Sequence, residues 1–378
     1  IKKLNKRLSE DAVKDVISQL TQDRSRLSLV RANKEVYKLL KDGVKVKSKN
    51  AKGTYEHKTV RIIDFDQPEN NDFFLATQFW VTGEMYTRRP DAVLFVNGLP
   101  LVLLEFKARH EDVKKAFDDN ITDYKDAIPQ IFWYNAFIVI SNAEESKIGS
   151  LTSGYEHFSD WKKISSEDER GKISLDTLLK GVCERNRFID LFENFILHTT
   201  IEGNDVKIVA KNHQYLGVNN AVESFKERKR KKGRLGVFWH TQGAGKSYSM
   251  IFFAQKVLRK FEGNYTFVIV TDRMELDDQI YQNFQQAGVV TEEQVQAESG
   301  EHLKRLLKED HRMIFTLIHK FNTKKGEKYP QLSDRDDVIV ITDEAHRTQY
   351  DILALNMRNA LPNASFMGFT GTPLIAGE

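Results

Sequence analysis

The stretch Trp239–Ser247, W-H-T-Q-G-A-G-K-S, decides how the carboxyl-terminal half of this chain is read. The apolar run Leu235–Phe238 precedes it, and Tyr248–Lys260 follows with apolar residues at helical spacing. Strand, glycine-rich turn, lysine, hydroxyl and helix in that order make a phosphate cradle. Backbone N–H groups of the turn and helix start point at the anion, Lys246 adds a cation, and Ser247 offers its hydroxyl to magnesium. His240 stands where the usual G-x-x-x-x-G-K-[ST] has its first glycine. The remainder, Gly243-Ala244-Gly245-Lys246-Ser247 after an apolar strand, favours a nucleotide site over a glycine-rich turn with no ligand.

Further apolar strands are expected downstream, at Tyr265–Val270, Met313–Ile318, Val338–Ile341 and Ser365–Phe369. Strands alternating with helices predict a parallel sheet with its ligand at the strand carboxyl ends. The third strand delivers Asp343-Glu344-Ala345-His346, an acidic pair suited to the cradle. Asp343 would hold Mg²⁺ through water, and Glu344 would polarise the attacking water. The fourth ends in Thr370-Gly371-Thr372-Pro373. Upstream, His213-Gln214-Tyr215 precedes a helix predicted over Gly217–Lys229. A side-chain amide such as that of Gln214 pairs with adenine through its donor and acceptor, a weak signal as bare sequence. Seven basic residues in Lys226–Arg234 read as a solvated helix end in preference to a DNA contact.

A second loaded stretch is Arg88–Lys107, R-R-P-D-A-V-L-F-V-N-G-L-P-L-V-L-L-E-F-K. Val93–Val96 and Leu101–Phe106 are apolar strands around Asn97-Gly98, a strong hairpin signal. The second strand is apolar on both faces and should be covered on both. It ends in Glu105 and Lys107, two apart and so on one face. With a regular two-residue turn, Asp91 would lie opposite Leu104, on the wrong face for Glu105. A three-residue turn or a compensating bulge brings Asp91 and Glu105 together beside Lys107, and that geometry is the one expected. Asp91 and Glu105 would then hold one or two Mg²⁺ ions for phosphodiester hydrolysis, with Lys107 orienting water or stabilising phosphate charge. P-D-x(13)-E-x-K is the PD-(D/E)xK nuclease signature, although E-x-K also ends ordinary solvated strands. A helix over Glu111–Lys125 and a buried strand at Phe137–Ile140 complete the expected strand, strand, helix, strand core. Asn120 and Tyr124, one turn apart on that helix, read as ordinary surface in slight preference to site residues.

With 378 residues, 40% of them apolar and 11% aromatic, the chain is long enough for two cored domains. The boundary is expected near 198–210, giving 1–200 and 201–378. Helices are expected over Leu4–Leu20 and Leu29–Leu40, strands over Thr59–Phe65 and Phe74–Val81, and helices over Leu175–Val182 and Arg187–Leu197. The single cysteine, Cys183, excludes an internal disulfide and a cysteine-based zinc site. No apolar run approaches the ~20 residues of a membrane span and no secretory signal is evident, so a cytoplasmic protein is expected. The chain begins with Ile1 and its start reads as trimmed. The net charge of +3 is uneven: residues 1–60 hold sixteen Lys and Arg against seven Asp and Glu, which suggests a polyanion partner as readily as a solvated surface.

Taken in order, T-Q-G-A-G-K-S, V-T-D-R, D-E-A-H and T-G-T-P resemble motifs I, Ia, II and III of the first RecA-like lobe of superfamily 2 helicases and translocases. The Arg88–Lys107 stretch, H-Q-Y, W-H-T-Q-G-A-G-K-S and T-D-R-x-x-L-D-x-Q at Thr271–Gln279 resemble HsdR, the restriction subunit of type I restriction–modification enzymes, from about residue 30 onward. The resemblance implies an α/β chain: a PD-(D/E)xK mixed-sheet nuclease domain followed by one RecA-like P-loop domain. It implies ATP-driven translocation of double-stranded DNA and Mg²⁺-dependent cleavage, in company with the subunits HsdM and HsdS. By position, Asp91, Glu105 and Lys107 would be the nuclease residues, Gln214 the adenine reader, Gly243–Ser247 the phosphate loop, and Asp343 and Glu344 the magnesium and water residues. Asn120 departs from the family's Gln-x-x-x-Tyr. Family members continue with a second RecA-like lobe and a helical region, so this length is expected to bind ATP and turn it over poorly. The competing readings are a nuclease-fused repair helicase and a non-catalytic DNA-binding and assembly module.

Overall fold

The computed structural model describes residues 1–6, 8–49, 54–323, 329–343 and 351–371, which form two compact units, Ile1–Asn212 and His213–Glu378. The first opens with α1 (Glu10–Thr21), whose start is capped by the Ser9 side chain accepting from the Ala12 N–H, and α2 (Leu29–Asp42). β1 (Val44–Lys49) and β2 (Tyr55–Val60) pair as an antiparallel ribbon. Thr59–Phe65 was expected as strand, but the pairing stops at Val60. The Asp64 side chain accepts from the N–H groups of Asp66 and Gln67 and folds the chain into a turn there.

A six-stranded mixed sheet follows, made of β3 (Phe73–Thr77), then, after the short ribbon β4 (Val81–Thr82) and β5 (Thr87–Arg88), β6 (Ala92–Val96), β7 (Leu99–Phe106), β8 (Phe137–Ser141), β9 (Ser146–Gly149) and β10 (Ser159–Asp160). Its order is β10-β9-β8-β7-β6-β3, with β7 and β8 parallel and the other pairs antiparallel. The strand expected to run to Val81 stops at Thr77, because Gln78 takes φ +51° and turns the chain off the sheet edge. Between β7 and β8 a π-helical turn (Ala116–Ile121) leads into α3 (Thr122–Ala127). Val113, Ile121, Tyr124 and Ile128 pack there on Val93, Leu103, Ile138 and Ile140. The other face of the sheet meets α5 (Arg185–Asn194), which follows α4 (Leu175–Val182); Phe188 lies against Phe73 and Phe137. Both faces of β7 are therefore covered, as its apolar pattern requires.

The helix expected to reach Leu197 ends at Asn194, and Ile196–Ile201 (β11) pairs with Asn204–Val209 (β12) inside the first unit. A buried polar network pins this hairpin: Lys207 Nζ donates to Asn33 Oδ1 (3.0 Å) and to the Asn135 carbonyl, while His198 Nε2 lies 3.0 Å from Asn33 Oδ1. Burial drives Lys207 and His198 toward their neutral forms.

The second unit is a five-stranded, wholly parallel sheet. In chain order its elements are α6 (Asn212–Lys226), β13 (Arg234–Trp239), α7 (Lys246–Lys260), β14 (Thr266–Thr271), α8 (Met274–Gln286), α9 (Gly300–Leu306), β15 (Met313–Leu317), β16 (Val338–Asp343), α10 (Asp351–Ala360) and β17 (Ser365–Thr370). The sheet order is β13-β17-β16-β14-β15. Every residue of β14 and β15 is buried, matching the continuous apolar runs of strands covered on both faces. α6 starts five residues before the expected Gly217, which puts His213 and Gln214 on its first turn. In the basic run that follows, Lys226 pairs with Glu223, Arg230 with Glu227, and Arg228 lies over the Phe225 ring.

Candidate active sites

In the first unit the Asn97-Gly98 turn is a two-residue one, since Val96 pairs with Leu99. Taken alone it would put Asp91 opposite Leu104. The register shifts by one between Phe95↔Pro100 and Leu94↔Val102, so Leu101 is an extra residue on β7 and Ala92 comes to pair with Leu104. The next pair out is Asp91 with Glu105. Of the two routes that could join these carboxylates, the chain uses the bulge.

Glu105 is only 3% exposed, and both oxygens of its carboxylate are hydrogen-bonded. Oε2 accepts from the Asp91 N–H (3.3 Å); Oε1 accepts from Asn120 Nδ2 (2.7 Å) and the Tyr124 hydroxyl (3.1 Å). Asp91 accepts from the Phe106 N–H (2.8 Å) and from Gln78 Nε2 (2.9 Å). Lys107 Nζ donates to Asn120 Oδ1 at 2.6 Å, so the Asn120 amide bridges lysine and glutamate. Burial, then the neighbouring Asp91 charge, pushes the Glu105 carboxyl up to about 7. Burial pushes the Tyr124 phenol up to about 12, keeping it a hydrogen-bond donor.

Asn120 and Tyr124 are thus members of the cluster and not helix surface. The π-helical turn carries Asn120, with the Thr122 N–H reaching back to the Phe117 carbonyl. Their spacing of four was the available signal. Gln78 carried none, because only the path of the edge strand brings it to Asp91. Among the described residues no group of three His, Cys, Asp or Glu gathers to hold a metal. Two carboxylates nevertheless fit Mg²⁺, which commonly takes one or two from protein and completes its octahedron with water and phosphate oxygens.

In the second unit the glycine-rich turn leaves β13 and enters α7. Gly243 and Gly245 both sit at φ +78°, and Gly245 is the N-cap of α7. The Ala244 N–H closes the turn on the Thr241 carbonyl (3.2 Å). His213 Nε2 lies 3.0 Å from the Ala244 carbonyl, and Gln214 Nε2 donates to the Gly245 carbonyl at 3.0 Å, so the first turn of α6 holds the loop. The role of His213 was not foreseen. His240, in the first-glycine position, packs its ring edge-on against His213 and Phe238, while its N–H donates to the Thr370 carbonyl (3.2 Å).

Lys246 and Ser247 begin α7. Asp343 ends β16 and pairs with Phe369, and Trp239 pairs with Thr370, so the acid and the loop share the carboxyl end of the sheet. Glu344, Ala345, His346, Thr372 and Pro373 lie outside the described residues. Asp277, in the T-D-R-x-x-L-D-x-Q stretch, is buried and accepts from Thr271 Oγ1 (3.1 Å) and Gln296 Nε2 (2.8 Å), fastening α8 to the end of β14.

A wholly parallel sheet with a glycine-rich loop at its carboxyl end, following in sequence a mixed sheet that bears a carboxylate pair, defines a two-unit α/β protein of P-loop type. Residues 213–378 match the SWI2/SNF2 ATPase family, and residues 1–157 match the type I restriction enzyme R protein N terminus. The chain is 38% identical over 402 residues to the type I restriction enzyme HindI endonuclease subunit of Haemophilus influenzae, covering 99% of this chain and 38% of that one. It is 37% identical over 409 residues to a putative type I restriction enzyme MjaIXP endonuclease subunit of Methanocaldococcus jannaschii, with the same coverages. The solved structure of the ATP-dependent type ISP restriction-modification enzyme LlaBIII bound to DNA aligns with 80% of this chain and 21% of its own, at 15% identity and a TM-score of 0.32. The chain belongs to the type I restriction enzyme R-subunit family and carries its helicase-like ATPase region. It spans 38% of the length of the two relatives. Among the described residues no helix is long and apolar enough to cross a membrane.

Proposed function

We propose that the chain is the part of a cytoplasmic restriction subunit that cuts double-stranded DNA with Mg²⁺ and drives its movement with ATP, alongside the modification subunit HsdM and the specificity subunit HsdS. The observation that carries the reading is the bulge-set meeting of Asp91 and Glu105, tied through Asn120 to Lys107. Asp91 and Glu105 would hold Mg²⁺, which when bound polarises the scissile phosphate and acidifies water. Asn120 and Tyr124 aim the Glu105 carboxylate, and Lys107 stands ready to balance charge gathering on the phosphate as the P–O bond breaks and the 3′-oxygen leaves. The first unit, Ile1–Asn212, would be the nuclease and the second, His213–Glu378, the first motor lobe.

In that lobe the Gly243–Ser247 loop would take the ATP phosphates, with Lys246 on their charge and Ser247 and Asp343 toward Mg²⁺. Glu344 would be the water residue. Gln214 would read adenine, exchanging its present bond to the Gly245 carbonyl for the base edge.

Glu105→Ala and Lys107→Ala, each assembled with HsdM and HsdS, test the nuclease assignment. Cleavage is expected to fall at least about a hundredfold while ATP consumption persists; cleavage surviving both changes sinks the assignment and favours a non-catalytic module. Lys246→Ala should abolish ATP binding measured by titration calorimetry.

A further inference from the structure

Residues 78–91 leave the sheet edge and return to it at the carboxylate pair. The Gln78 N–H donates to the Asp91 carbonyl (2.8 Å), and the Phe79 N–H to the Pro90 carbonyl (3.2 Å). Between these bonds runs the β4–β5 ribbon, its turn closed by the Gly83 N–H on the Tyr86 carbonyl (2.8 Å). One side is fastened down. Arg88 grips Asp123 of α3 with two nitrogens, its Nη2 at 2.8 Å, and Gln130 Nε2 donates to the Thr82 carbonyl (2.8 Å). Gly83 sits so close to α3 that a Cβ would come within 2.1 Å of the Ala127 carbonyl.

Large side chains of the ribbon nevertheless remain in solvent, the Tyr86 ring with the Arg88 guanidinium 5.2 Å from its centre. Trp80 is 64% exposed, Met85 81% and Tyr86 54%. Phe74, also exposed, pairs across β3–β6 with Phe95, and the Phe79 ring stands edge-on to Phe95. Phe95, Val93 and Asp91 alternate along β6, so these aromatic rings share the sheet face of the carboxylates. The Arg89 guanidinium lies 5.1 Å from the Trp80 ring centre, and among the described residues Arg89 makes no ion pair.

An anchored ribbon that leaves a tryptophan and a tyrosine in water, with a guanidinium that makes no ion pair among the described residues beside the Trp80 ring, is costly for a protein with nothing to put there. Flat π faces with an adjacent guanidinium are what unpaired nucleobases and their phosphates require. A duplex hides its base faces in the stack. We propose that Trp80, Tyr86 and Arg89, with Phe74 and Phe79 behind them, form a stacking platform that takes unpaired bases of the DNA strand entering the Asp91–Glu105 site. The platform makes local opening of the duplex at that site part of the cut, and it rests on the nuclease reading of Asp91 and Glu105. Charge and continuity with the carboxylates favour DNA over a protein partner, which would seal the site.

The test is fluorescence anisotropy of a labelled single-stranded deoxyoligonucleotide and a blunt duplex of equal length, titrated with the full chain without divalent cation. Trp80→Ala and Tyr86→Ala should each weaken single-strand binding about tenfold, with a smaller loss for the duplex. Trp80→Phe should retain most of the affinity, and matched circular dichroism melts establish that the variants fold. Unchanged single-strand affinity in both alanine variants overturns the platform. So does unchanged affinity accompanied by lost capture of HsdM and HsdS, which would make this face a protein-docking surface. Glu105→Ala separates the two readings. If it abolishes cleavage while Trp80→Ala leaves oligonucleotide binding intact, the nuclease stands and the platform falls. If Trp80→Ala weakens binding while Glu105→Ala still cuts, the platform stands as a DNA surface without the nuclease.

Discussion

Glu105 shows how one side chain carries both a structural cost and a chemical use. Its carboxyl is held protonated up to about pH 7 by burial and by Asp91, against an ordinary value of 4.5. The folded chain therefore keeps a proton that the unfolded chain releases between pH 4.5 and 7. Stability falls as pH rises through that window, by about 3 kcal/mol in full. Without divalent cation, the melting temperature of the wild type should drop between pH 5 and 8, and that of Glu105→Gln should drop much less. Adding Mg²⁺ at pH 8 should restore the wild type alone, because two facing carboxylates relieve their repulsion on a cation. Identical pH profiles for both proteins would refute this account of the site. Asn120 adds a second lesson at this scale. Shorter by a methylene than the family's glutamine, it still spans Lys107 and Glu105 at 2.6 and 2.7 Å.

At the scale of elements, local conformation aims the chemistry. The Leu101 bulge turns a hairpin that would have separated Asp91 from Glu105 into one that joins them. A π-helical turn carries Asn120 to the same place. In the second unit the cradle depends on Gly245 at φ +78°, where an added Cβ would lie 2.7 Å from Gln214 Nε2. Gly245→Ala combines left-handed strain of about 1–2 kcal/mol with displacement of the glutamine. ATP affinity should fall at least about tenfold by titration calorimetry, with a melting temperature lowered by several degrees. Lys246→Ala should lose affinity with no change in melting. Equal melting for the two variants would mean that the loop is not held as described.

For the whole molecule, charge is the property that no single element owns. The first sixty residues carry a surplus of nine positive charges, so the remainder is near minus six. The ion pair of Arg31 with Asp205, an acid outside that segment, neutralises part of the surplus. DNA affinity of the full chain should fall at least about tenfold between 50 and 200 mM salt, as phosphate contacts release counterions. A flat salt profile would locate binding in stacking and uncharged contacts alone.

The phosphate loop, the parallel sheet behind it and the apolar β7 were legible in the sequence because they are local. Strand, glycine turn, lysine and helix are contiguous, and period and composition suffice to read them. The E-x-K and the Asn-Gly turn were legible too, but not their alliance with Asp91. A side-chain period of two means that one extra residue decides which face a carboxylate takes, and no pattern in Leu99–Phe106 marks Leu101 as that residue. Gln78, Asn120, Tyr124 and His213 joined their sites only through folding. Each meets its partner across a different element, and contacts of that kind are settled by packing rather than by neighbouring residues.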